Sequence, residues 1–213
     1  MTPGADFIAA NTRVLAPPLV PEVVLHLAEE SLPIWQKTEE ELQQINVPPP
    51  YWAFAWAGGQ ALARHVLDNP GLVSGRRVID LGSGSGLAAV AAMKAGAVSA
   101  LAADIDPLAA VAARLNAQSN DVSIDTTTED LLDGEPMCDV LLVGDLFYER
   151  PLAARVLGFI ERAQQTGCSV LVGDPRRSYF PTDRFEAVET YNVPVTRELE
   201  DAEIKRAAVW RPR

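Results

Sequence analysis

A strand-like run, Arg77–Leu81 (RVIDL), passes directly into Gly82-Ser83-Gly84-Ser85-Gly86 and then into helical composition. Backbone amides and a helix N-terminus therefore converge where no Cβ obstructs a ligand. The spacing is G-x-G-x-G, and Leu87 stands where the dinucleotide fingerprint needs its third glycine. Asp80, near the end of the same strand, disfavours a pyrophosphate by charge, whereas a zwitterionic amino-acid ligand tolerates it. The next run ends at Asp104-Ile105, where an acid in such folds reaches both ribose hydroxyls of an adenosine. Asp106 faces the same side as a second candidate, with helix capping ahead of Pro107 as its alternative role. After the third run, Glu129, Asp130 and Leu131 offer an acid for an adenine amino group and an apolar neighbour for its ring.

The fourth run ends Val143-Gly144-Asp145-Leu146-Phe147-Tyr148-Glu149, at the sheet edge where such folds place their chemistry. Asp145 and Tyr148 are the candidates there. Their alternatives are structural: a helix cap ahead of Pro151 for Asp145, and a core aromatic for Tyr148. Upstream, Trp52-x-Phe54-x-Trp56 puts three aromatics on one side of an extended segment, and Gly58-Gly59 permits close approach to a ligand. Such a stripe can equally be core.

These residues need a scaffold. The runs Arg77–Leu81, Ser99–Asp104, Val122–Thr126, Asp139–Gly144 and Ser169–Gly173 predict five successive strands. Helical stretches Leu87–Ala95, Pro107–Ser119 and Pro151–Thr166 alternate with them, two opening with a proline. That alternation predicts an α/β fold with a mostly parallel sheet covered on both faces. Arg184–Val193 and Ala207–Arg211 predict a C-terminal antiparallel hairpin, for seven strands in all. Residues 1–75, through NTRVLAP, PEVVLHLAEE and KTEEELQQI, are expected to form a helical extension carrying the aromatic segment. The whole is expected to be a single domain with its core at 76–213.

Composition removes several classes. Twenty-nine acids against eighteen bases give a net charge of −11, which repels phosphate backbones and argues against a nucleic-acid partner. No apolar run approaches the ~18 residues of a membrane span, and the first residues lack a secretory or transit pattern, so a cytoplasmic monomer is expected. Cys138 and Cys168 lie beside apolar strands and are expected as reduced core thiols, and two isolated histidines give no metal spacing. No metal is expected.

VIDLGSGSG, AADIDP and TEDLL resemble the first three motifs of the seven-strand, Rossmann-like methyltransferases, over about residues 52 to 175. The resemblance implies S-adenosyl-L-methionine as cofactor. By position it implies that Asp80, Gly82, Ser83, Gly84, Asp104, Ile105, Glu129, Asp130, Leu131 and Asp145 hold it, under a lid supplied by Trp56. Adenine- and glutamine-directed relatives carry Asn/Asp-Pro-Pro-Tyr/Phe after the fourth strand, and this chain lacks those prolines. Asp145-x-x-Tyr148 resembles instead the Asp/Glu-x-x-Tyr/Phe signature of the seven-strand protein lysine methyltransferases. The N-terminal segments NTRVLAPPLVPEVVLHLAEESLPIWQKTEEEL and PPPYWAFAWAGGQALARHVLD are similar to those of the family acting on the β subunit of electron transfer flavoprotein, which implies that subunit as partner.

On this resemblance the acceptor is a lysine ε-amine, which must lose its proton before attacking. Asp145 would align it, Tyr148 would line the mouth by cation–π contact, and positioning would supply most of the acceleration. Methylation of a ribosomal or translation protein, or of a small molecule, is the alternative from the same fold. A nicotinamide oxidoreductase is disfavoured by Leu87 and by the lack of a Tyr-x-x-x-Lys pair.

Overall fold

A computed structural model describes residues 3–28, 49–195 and 203–213. The expected helix at KTEEELQQI falls outside the described residues. At the N-terminus lie α1 (Pro3–Asn11), β1 (Arg13–Leu15) and β2 (Leu25–Leu27), then a 3-10 turn at Tyr51–Ala53 and α2 (Ala57–Asp68). The sheet and its covering helices follow as β3 (Arg77–Leu81), α3 (Leu87–Lys94), β4 (Ser99–Ala103), α4 (Pro107–Ser119), β5 (Asp125–Thr127) and β6 (Val140–Gly144). The chain continues with α5 (Arg150–Gln165), β7 (Ser169–Asp174), β8 (Phe185–Pro194) and β9 (Ile204–Pro212).

Seven strands form one sheet in the order β5-β4-β3-β6-β7-β9-β8. The first five in this order pair in parallel, and β9 and β8 are antiparallel, as expected. The order reverses between β3 and β6, so a crevice opens at their carboxyl ends. Strand alternation divides the core. Val78, Val140 and Leu142 face α2 and α3, while Ile79, Leu81, Leu141 and Val143 face α5 with Phe159 and Ile160. The β5 strand starts later than Val122, because the Val122 amide donates to Ala117 O and finishes the preceding helix.

The N-terminal segment departs from the helical expectation. Arg13–Leu15 pairs antiparallel with Leu25–Leu27, and Pro17, Pro18 and Pro21 between them cannot donate a helical hydrogen bond. Two buried asparagines, Asn116 within α4 and Asn120 just past its end, hold this segment: Asn120 Oδ1 accepts from Val24 N at 3.0 Å, and Asn116 Oδ1 from His26 N at 2.7 Å. Asn116 Nδ2 also donates to Ser85 O, tying the glycine loop to the N-terminal ribbon. Cys138 and Cys168 are free and buried, with their sulfurs 3.0 Å apart at the amino edge of the sheet. No helix among the described residues is long and apolar enough to cross a membrane.

Candidate active site

A cavity of about 490 Å³ fills the crevice at the carboxyl ends of β3, β4 and β6. Of the residues expected to bind or react, Gly82, Gly84, Asp104, Ile105, Glu129, Asp130, Leu131, Asp145, Tyr148 and Trp56 all line it. Asp80 and Ser83 do not. Asp80 lies buried behind the wall, where its carboxylate accepts from the Ala89 amide in the first turn of α3. Burial pushes its pKa up to about 8. Ser83 is buried as well, turned away from the cavity.

The β3–β4 end is organised around Asp104. Its two carboxylate oxygens accept from Gly84 N at 2.9 Å and from Asp106 N at 3.0 Å. Desolvation raises its pKa, partly opposed by these two amides. Gly84 has φ +49, and the space ahead of its Cα is open, with the nearest atoms of Tyr51 and Trp52 3.8 Å from where a Cβ would sit. A ligand can therefore rest against its bare backbone. Gly86 serves packing instead, since a Cβ there would meet Ala113 of α4 at 2.8 Å. Asp106 takes its alternative role, capping α4 through Leu108 N. Asp130 likewise caps the short turn Leu131–Asp133 and pairs with Arg155 at 2.9 Å, while still facing the cavity.

The aromatic stripe divides at the Tyr51–Ala53 turn. Trp52 is rotated into the core against Ala109 and Ala112 of α4. Trp56 remains half-buried on the cavity wall and donates its indole N–H to Tyr51 O at 3.0 Å. Tyr51 and Tyr148 lean together with centroids 6.0 Å apart, both substantially exposed, so the alternative of a core role for Tyr148 does not hold. Burial also raises the Tyr148 pKa, and the phenol stays protonated at neutral pH. Tyr51, Trp56 and Tyr148 thus form an aromatic collar at the mouth. Such faces favour a cation or an amine.

Asp145 follows β6 in a left-handed conformation, φ +56, with its amide donating to Gly173 O. It does not cap the helix ahead of Pro151; Glu149 occupies that position. Asp145 Oδ2 accepts instead from Gly59 N at 2.8 Å, in the first turn of α2, a favourable place for a carboxylate at a helix N-terminus. Its Oδ1 accepts from Arg177 Nε at 3.0 Å and Nη2 at 2.7 Å. The Arg177 guanidinium lies over Trp56, 5.4 Å from the ring centroid. Beneath it Asp174, fully buried, accepts from Arg177 N, and desolvation pushes its pKa to about 7. Gly58 and Gly173 allow this convergence, because a Cβ on either would overlap the carbonyl of the other.

Sequence reasoning missed Arg177, Tyr51 and Asn116. Arg177 carried a usable signal, as a cation just past the carboxyl end of β7 on the active edge of the sheet. Tyr51 also had one, sitting within the aromatic segment. Asn116 had none.

One cavity joins the glycine loop and Asp104 at one end to an aromatic, carboxylate-anchored mouth at the other. Residues 61–144 match the ribosomal protein L11 methyltransferase (PrmA) family. Among solved structures, a tRNA uracil C5-methyltransferase from Pyrococcus abyssi in complex with S-adenosyl-L-homocysteine superposes with a TM-score of 0.52 at 16% identity, covering 70% of this chain and 38% of that one, which shows the shared fold. The electron transfer flavoprotein beta subunit lysine methyltransferase of Danio rerio is 35% identical over 97% of this chain and 82% of its own length. That of Homo sapiens is 34% identical over 96% and 80%. At this identity and coverage, the chain belongs to the electron transfer flavoprotein beta subunit lysine methyltransferase family.

Proposed function

We propose that this protein-lysine methyltransferase uses S-adenosyl-L-methionine to methylate a lysine ε-amine on the β subunit of electron transfer flavoprotein. The observation carrying the proposal is one continuous cavity with Asp104 and Gly84 at one end and Asp145, Trp56 and Tyr148 at the other. The residues fit the cofactor: Gly84 leaves backbone open to the methionine portion, and Asp104 presents a carboxylate toward the ribose position. Glu129 and Leu131 would take the adenine. When bound, S-adenosyl-L-methionine supplies an electrophilic methyl group on a positively charged sulfur.

The chain's own residues then prepare the nucleophile. Tyr51, Trp56 and Tyr148 admit the aliphatic stem and amine of a lysine and narrow the water path around it. Asp145 orients the nitrogen, and placing it in line with the methyl group supplies the main acceleration. The net charge of −11 supports a protein acceptor over a nucleic acid. The relatives' name supports the β subunit of electron transfer flavoprotein as the substrate. Incubating the enzyme with labelled cofactor and purified β subunit tests this. Label on one or more lysines of that subunit is expected, and an unlabelled subunit beside a labelled ribosomal protein or small molecule would overturn it.

A further inference from the structure

Cys138 and Cys168 take no part in the chemistry above. They stand at the edge of the sheet opposite the site, just ahead of β6 and β7, which pair in parallel from Val140 and Ser169 onward. Their sulfurs are 3.0 Å apart. A disulfide bond is about 2.05 Å long, so a further approach of about 1 Å joins them. Backbone hydrogen bonds hold the two residues in this relation: Cys168 N donates to Ala163 O, Ser169 N to Asp139 O, and Asp139 N to Arg77 O. Both thiols are buried, yet a polar groove of about 660 Å³ runs along this edge. It is lined by Cys138 itself and by Gly167 and Ser169, the two chain neighbours of Cys168. A small oxidant can enter where a protein thiol cannot.

We propose that Cys138 and Cys168 form a modification site, at which a hydroperoxide converts the two thiols reversibly into an intramolecular disulfide that staples β6 to β7. Two thiols and one hydroperoxide give the disulfide, an alcohol and a water, or two waters when the oxidant is hydrogen peroxide. The sulfurs are oxidised and joined; the O–O bond breaks, and its oxygens take up two electrons and both thiol protons.

The hydrogen bonds set the order of events. The Cys168 thiol donates to Ser169 O at 3.6 Å, which leaves Cys138 as the donor between the sulfurs. Accepting that bond lowers the pKa of Cys168, against burial and the nearby Asp139 carboxylate. Donating it, together with burial, pushes that of Cys138 up. Cys168 is thus the sulfur that ionises, attacks the peroxide and becomes a sulfenic acid, and Cys138 then displaces water from it. The bridge spans 30 positions of sequence. Asp145, Tyr148 and α5 lie inside the closed loop, whereas Gly84 and Asp104 lie outside it. Cross-linking restricts the unfolded chain, so the oxidised form is the more stable.

The test is mass spectrometry of the folded chain after dilute hydrogen peroxide, with remaining thiols alkylated in denaturant. Loss of two hydrogens per chain, no alkylated cysteine and one peptide pair linking Cys138 to Cys168 are expected, all reversed by dithiothreitol. The bridged form should melt roughly 5–10 °C higher than the reduced one. In Cys138→Ala the reaction should stop at a Cys168 sulfenic acid, trapped by dimedone. Met137, 79% exposed beside Cys138, records that oxidant has reached this edge. Met137 sulfoxide with both thiols still alkylated would overturn the proposal. So would bridges between chains, sulfinic acid on either cysteine without a bridge, or a bridged form no more stable than the reduced one.

Discussion

Asp145→Asn separates the structural work of this residue from its chemical work. Asparagine tolerates φ +56 at least as well as aspartate, so the backbone is not the source of any loss. What changes is the acceptor set. Oδ1 accepts from Arg177 at 3.0 and 2.7 Å, and Oδ2 accepts from Gly59 at 2.8 Å. The amide keeps a single oxygen, which can serve Gly59 or Arg177 but not both, and its NH₂ opposes whichever donor remains. Breaking a buried ion pair costs about 3–5 kcal/mol; with Arg177 still 19% exposed and both its bonds able to stay on the amide oxygen, roughly 2–3 kcal/mol is expected. For a chain of this size that lowers the melting temperature by roughly 5–10 °C. Cofactor affinity should stay within about threefold of wild type, because Asp104 and Gly84 are untouched. Turnover should fall by at least about 10²-fold through loss of alignment. Thermal denaturation, calorimetry with S-adenosyl-L-homocysteine and lysine methylation, run on one preparation, check all three. A variant as stable and active as wild type would refute both the anchoring of α2 and the acceptor role.

Asp104→Ala removes the acceptor for Gly84 N and Asp106 N and the expected ribose contact, so cofactor affinity should drop about 10- to 100-fold by calorimetry. Gly58→Ala drives a methyl into Gly173 O and the Asp145 carboxylate, and it should destabilise the fold by about 2 kcal/mol or more in denaturant titrations. The Asp80 pKa is raised to about 8 in the fold, so the folded state holds the proton that the unfolded chain releases from about pH 4. Its contribution to stability is thus present at low pH and lost as pH rises toward 8. Asp80→Asn should therefore gain melting temperature relative to wild type at pH 8 but not at pH 4, a comparison made by scanning calorimetry. Phe159→Ala, in the core under α5, should cost about 3–5 kcal/mol without altering cofactor affinity in the folded protein.

Four of the parallel strands were readable because each is a short apolar run opening onto glycine or aspartate, and local patterning alone marks them; the polar β5 was expected three residues too early. Gly82, Gly84 and Asp104 were readable as cavity-lining residues for a related reason, since strand ends at this edge open into the crevice. The N-terminal ribbon was not, because three residues per strand give no periodicity and its anchors, Asn116 and Asn120, lie some ninety residues away. Asp80 and Ser83 share the motif with the lining glycines, yet Asp80 is taken up by the Ala89 amide of α3 and Ser83 is buried off the cavity, which spacing alone does not reveal. Asp145 illustrates a subtler failure. A helix N-terminus was the right kind of partner, but it belongs to α2, reached across 86 residues rather than through the next proline.

The interlocked Gly58 and Gly173 set limits on how this scaffold can diversify. With each glycine's missing side chain filled by the other's backbone, neither position has a viable single-step neighbour in sequence space, and both must persist together. Substrate preference in descendants of such a chain would then drift at Tyr51 and Tyr148, whose side chains reach the mouth without bearing on that seam. A laboratory library seeking a new acceptor should randomise those two positions and leave the glycine pair alone.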